Sequence, residues 1–121
     1  MKVSQLRFVF ALLLASVCAA QEEGGNWKHA RDVITRAMTN LRHIDHRAGF
    51  AGGDRDRYDR TMRSLSDVER SLADGRFDKN KLDEAIQNLD HVTRGRELDP
   101  ADREHVLDDL KDLRRLREEW R

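Results

Sequence analysis

The sequence predicts an all-α fold: a small antiparallel four-helix bundle assembled from two tandem helical hairpins. Three observations lead there. Helix formers and charged residues dominate, with 38% Asp, Glu, Lys and Arg, 6% aromatic residues and a single proline, Pro100, and no alternating Val/Ile/Thr segment interrupts them. Apolar residues recur at three- and four-residue spacing in four separate stripes, so each helix has one face to bury. A shift of 48 residues lays the first half of that pattern on the second without a gap, as an internal repeat would.

Residues 1–20 stand apart from the rest. Lys2 and Arg7 precede an apolar stretch from Phe8 to Val17, and Cys18-Ala19-Ala20 offers the small residues of a cleavage site, so a secretory signal peptide is expected to end before Gln21. The apolar stretch is about half the roughly 20 residues needed to cross a bilayer. Cys18 should leave with the signal rather than carry a lipid, because the branched Val17 stands where a lipoprotein signal has a tiny residue. The remaining chain then has no cysteine, which removes disulfides, thiol nucleophiles and thiolate metal sites. A short tail, 21–26, leads into a helical domain spanning 27–121.

The first helix is expected from Trp27 to Arg47, capped by Asn26, with a stripe of Ile34, Ala37, Met38, Leu41 and Ile44. Gly49, Gly52 and Gly53 break the pattern before a second helix, from Asp54 to Ala73, with Tyr58, Met62, Leu65, Val68 and Leu72. The third runs from Lys79 to Arg94 behind Asp78 as cap, with Phe77 and Leu82 at the spacing of a hydrophobic staple and a stripe of Leu82, Ala85, Ile86, Leu89 and Val92. The fourth, Pro100 to Trp120, has Asp99 at the cap position and proline at the first helical position, where no N–H is needed; its stripe is Val106, Leu110, Leu113, Leu116 and Trp120. Gly75 and Gly95 are expected in the left-handed conformation that closes a helix. Surface pairs Asp56–Arg60, Asp59–Arg63 and Asp112–Arg115 have helical ion-pair spacing.

The 48-residue shift superposes Ala37-Met38-Thr39-Asn40-Leu41-Arg42-His43-Ile44 on Ala85-Ile86-Gln87-Asn88-Leu89-Asp90-His91-Val92, and matches Asp54-Arg55 with Asp102-Arg103 and Phe50 with Leu98. A hairpin of this length leaves its stripe facing water, and units this small rarely stand alone. The hairpins 27–73 and 75–121 are therefore expected to bury each other. The segment from Arg57 through Phe77-Asp78-Lys79 and Leu82-Asp83-Glu84-Ala85-Ile86 to Leu110-Lys111-Asp112-Leu113-Arg114 resembles small secreted bacterial all-helical proteins with no assigned activity. That resemblance implies the helical fold and adds no chemistry.

Charge and motifs narrow the function classes. The chain has 23 basic and 23 acidic residues, and loss of Lys2 and Arg7 tips the balance to slightly acidic, so neither nucleic acid nor an anionic membrane has a global attraction for it. No HExxH, phosphate loop, dinucleotide fingerprint or nucleophile elbow occurs. No catalytic residues and no cofactor are expected. Asp54-x-Asp56-x-Tyr58 and Asp78-x-Asn80-x-Leu82 begin like calcium loops but place an apolar side chain at the fifth position, and helix capping accounts for them better. No metal site is expected either; His43, His46 and His91 come nearest, with no carboxylate a turn away to complete one. Trp27 and Trp120 are expected to cap one end of the bundle, and Met38 and Met62 to fill its core.

These readings converge on a secreted or periplasmic, non-enzymatic protein that interacts through its charged surface with an unidentified protein of the cell envelope, without membrane insertion once the signal is removed. The alternative is a stress-type periplasmic chaperone: size, charge and lack of cysteine are similar to Spy-like proteins, although their Leu-Thr-x-x-Gln repeats are absent. A metal or small-ligand carrier is a third reading, resting on histidine alone. Neither partner identity nor oligomeric state is legible in the sequence.

Overall fold

The computed structural model describes residues 26–95 and 98–120; the signal peptide expected over 1–20 lies outside them. Four helices account for nearly all of the described residues, and no strand occurs among them: α1 (Trp27–Arg47), α2 (Gly52–Ala73), α3 (Lys79–Arg94) and α4 (Pro100–Glu119). α1 packs on α2 and α4, and α3 packs on α2 and α4, which closes a small bundle around one core. No described helix is long and apolar enough to cross a membrane.

Local chemistry sets the helix limits. The Asn26 side chain accepts the His29 N–H at 3.0 Å and the Asp78 side chain accepts that of Lys81 at 3.1 Å, so both caps work as the sequence implies. Asp99 holds the cap position of α4, but its side chain accepts no capping bond. The second helix begins at Gly52, two residues before the expected Asp54, because the Arg55 N–H already bonds to the Ala51 carbonyl. Gly75 has a φ of +79° and ends α2 as expected. Gly95 does not close α3 in that way. Its φ of −70° is open to any residue, and its role is to leave room: a Cβ there would lie 2.8 Å from Asp54 Oδ2.

The predicted stripes form the core, with Ile34, Leu41, Leu65, Leu82, Leu89, Leu110, Leu113 and Leu116 essentially sealed from solvent. Met38 is buried, whereas Met62 and Ile86 lie at the margin, partly exposed but packed against the cluster. Aromatic rings close both ends. Trp120 meets Trp27 edge-on with centroids 4.6 Å apart and stacks on Phe77 at 4.4 Å; at the other end Phe50 stacks on Tyr58 at 4.7 Å.

Of the expected surface pairs, Asp56–Arg60 forms at 2.9 Å. Asp59 turns instead to Arg55, and Asp112–Arg115 makes no ion pair. Cross-helix pairs recur at a separation of 48 residues. Thr35 donates to Glu69 between α1 and α2 at 3.2 Å, and Arg117 donates to Asp83 between α4 and α3 at 2.9 Å. Arg47 meets Asp102 between α1 and α4, and Gly95 meets Asp54 between α3 and α2.

Candidate functional site

Two of the three buried carboxylates among the described residues, Asp102 and Asp109, lie between α1 and α4. Asn40, His43 and Arg47 follow one another at helical spacing along α1, and Asp102, His105 and Asp109 do so along α4 in the opposite sense. Asn40 Nδ2 donates to Asp109 Oδ1 at 2.9 Å at one end, and an Arg47 guanidinium nitrogen donates to Asp102 Oδ1 at the other. His43 and His105 fall between these bonds and, with Ile44 and Ala101, line an open groove of about 400 Å³.

Two carboxylates lie beneath that groove. Asp102 is 1% exposed and Asp109 4% exposed, and removing a charged carboxylate from water is costly unless it is paired. Asp102 has Arg47. Asp109 has only the neutral amide of Asn40, and its Oδ2 is buried with no hydrogen-bond partner. Desolvation pushes its carboxyl up to about 6; the Asn40 bond opposes the rise, Asp112 and Asp108 add to it, and His105 opposes it. A carboxyl raised in this way takes up a proton at mildly acidic pH.

The matching seam between α2 and α3 meets the same constraints differently. Asn88 donates to the Glu84 carbonyl at 3.0 Å, and Thr61, in the place of Asp109, donates to the Arg57 carbonyl at 2.8 Å. Asp54, in the place of Asp102, has Arg57 of its own helix at 3.5 Å. The groove along this seam, about 340 Å³, is lined by charged and amide side chains including Arg60, Lys81, Glu84 and Asn88.

The histidines singled out in the sequence do not assemble. His43 is in the groove, with His105 across from it on α4 rather than with His46. His46 and His91 are exposed on α1 and α3. Among the described residues, no three His, Cys, Asp or Glu side chains converge as metal binding would require. Asp78 caps α3, while Asp54 is buried in the first turn of α2. Sequence reasoning missed Asn40, Arg47, Asp102, His105 and Asp109. One signal was present, since Asp102 and Asp109 continue the spacing of Val106, Leu113 and Leu116 and are acids placed on an apolar stripe. Searches for related proteins find no family model, no curated protein and no solved structure that matches this chain.

Proposed function

We propose that the chain is a secreted or periplasmic, non-enzymatic helical protein of the cell envelope that binds a protein partner through its charged outer surface. In this reading the scaffold is an antiparallel bundle made of two copies of one hairpin, 27–73 and 75–121. The observation that carries the proposal is how the side chains are allotted. Large apolar residues are spent on a single core and two aromatic ends, and Leu107 is the one large hydrophobic found exposed among the described residues. Ion pairs then tie neighbouring helices together across their edges, as in Arg117–Asp83 and Arg114–Asp90. What the molecule offers outward is a patterned array of charge, which steers and selects partners more than it supplies bulk affinity.

Crosslinking followed by recovery of the tagged protein from its native host tests this reading. The expected result is an envelope protein enriched reproducibly over an untagged control, from a mature chain beginning at Gln21. Recovery of the chain in the cytoplasmic fraction with the signal still attached would overturn it, as would the absence of any enriched protein.

A further inference from the structure

We propose that the outer face of α4 is a self-complementary docking surface for a second copy of this chain, laid antiparallel against it. Glu104, Leu107, Asp108, Lys111, Arg115 and Glu118 share that face and line a shallow groove of about 550 Å³. Leu107, 44% exposed, sits within it. The charges are sorted into blocks, with Glu104 and Asp108 one turn apart, followed by Lys111 and Arg115 one turn apart. Like charges at that spacing repel, and none of these four groups has an ion-pair partner among the described residues.

The equivalent face of α2 shows what an ordinary exposed helix does with the same positions. Its residues 48 positions earlier are Asp56, Asp59, Arg60, Arg63 and Asp67. There the signs are mixed, and the charges pair along their own helix, Asp56 with Arg60 at 2.9 Å and Asp67 with Arg70 at 3.8 Å. In α4, Asp108 and Arg115 stand where α2 has Arg60 and Asp67, and Leu107 replaces Asp59. With Glu118 standing where α2 has Arg70, three sign reversals thus turn a row paired at Asp56–Arg60 and Asp67–Arg70 into an acidic block beside a basic one, with an apolar side chain near their boundary. The helix dipole does not account for the sorting, because its influence fades within the first and last turns, and Asp108 and Lys111 lie in the middle of the helix.

A second copy related by a two-fold axis pairs the four charges of the two blocks. Glu104 of each chain faces Arg115 of the other, Asp108 faces Lys111, and Leu107 covers the aliphatic stems of the basic residues near the axis. The stretch from 104 to 118 is about 21 Å long. A contact of one helix on one helix is small beside a permanent interface, so the association is weak, concentration-dependent and salt-sensitive.

Sedimentation velocity on the mature chain tests the proposal. The wild type should show a monomer–dimer equilibrium at about 0.05 M salt whose dissociation constant rises at least tenfold at about 0.5 M, where exposed charges are screened. The double variants E104K/D108K and K111E/R115E should each be monomeric with unchanged melting, since all four positions are exposed. Mixed in equal amounts, they should form a dimer of wild-type size. A wild type that stays monomeric at low salt up to about 1 mM overturns the proposal, as does a dimer that survives in either reversed variant or a mixture that fails to assemble.

Discussion

The α1·α4 seam and the α2·α3 seam are built on residues 48 positions apart, yet they treat buried polarity in different ways. Each has a buried aspartate at the same place. Asp102 is answered across the seam by Arg47, whereas Asp54 is answered from its own helix by Arg57, and the chain opposite withdraws to Gly95 to make room. Seven positions further along, α4 places Asp109 in the core layer with one oxygen unpartnered, where α2 has Thr61 satisfied by its own backbone. Residues 48 positions apart are thus satisfied within their own helices on one side, and on the other include a buried carboxyl with a raised pKa. Polar satisfaction rather than hydrophobic pattern is what separates the two seams.

The largest effects test whether the two sides share the apolar load. Leu41 and Leu89 occupy matching positions, 0% and 1% exposed. Leu41→Asp and Leu89→Asp should each abolish cooperative melting, because an unpaired carboxylate in a sealed core costs several kcal/mol, about the whole stability of a small domain. Calorimetry of both variants checks this. If one of them melts cooperatively while the other does not, the two halves do not contribute equally to the core.

Next in size is the titratable difference between the seams. Asp109 holds its proton more tightly when folded than when unfolded, because burial lifts the carboxyl from 3.8 to about 6. The proton therefore favours the folded state: this contribution is fully present below the unfolded value and is lost as pH rises through about 6. Wild-type stability should accordingly fall between about pH 4 and pH 7 by up to about 3 kcal/mol from this group alone. Asp109→Asn keeps the shape, can still accept from Asn40, and should gain about 1–3 kcal/mol at pH 7 with little gain at pH 4. Urea melts of both proteins across that range measure it. Equal stability differences at the two pH values would show that burial in the seam does not raise the Asp109 carboxyl.

The bundle was largely legible in the sequence because apolar periodicity and caps are local signals. The Leu and Ile stripes, Asn26 and Asp78 all act within a turn or two of their own position. The seam was not, because it depends on which faces meet. His43 counts as outward on α1 by angle alone, and only the arrival of α4 turns that edge into a groove with His105 opposite. Gly95 was misread for a related reason: helix ends commonly require a left-handed glycine, while the need here is set by Asp54, 41 residues away in sequence. Asp102 and Asp109 were readable as acids on an apolar stripe, but not the partners that meet them.

The smallest predicted effect isolates that last point. Since Gly95 has an ordinary φ, alanine there meets no backbone strain and should lower the entropy of the unfolded chain, a gain of about 0.4–1 kcal/mol. Opposing this, the new methyl would stand 2.8 Å and 3.3 Å from the two Asp54 carboxylate oxygens and 3.3 Å from the Val92 carbonyl. Asp54 is buried and has little room to retreat, so Gly95→Ala should cost a net of about 1 kcal/mol. In an Asp54→Ala background the crowding disappears, and the same substitution should become neutral or slightly stabilising, a coupling of about 1–2 kcal/mol in a double-mutant cycle. If Gly95→Ala costs the same in both backgrounds, then the glycine answers to the Val92 carbonyl within its own helix, and the two seams differ less in their handling of the paired aspartates than the Arg47–Asp102 contact suggests.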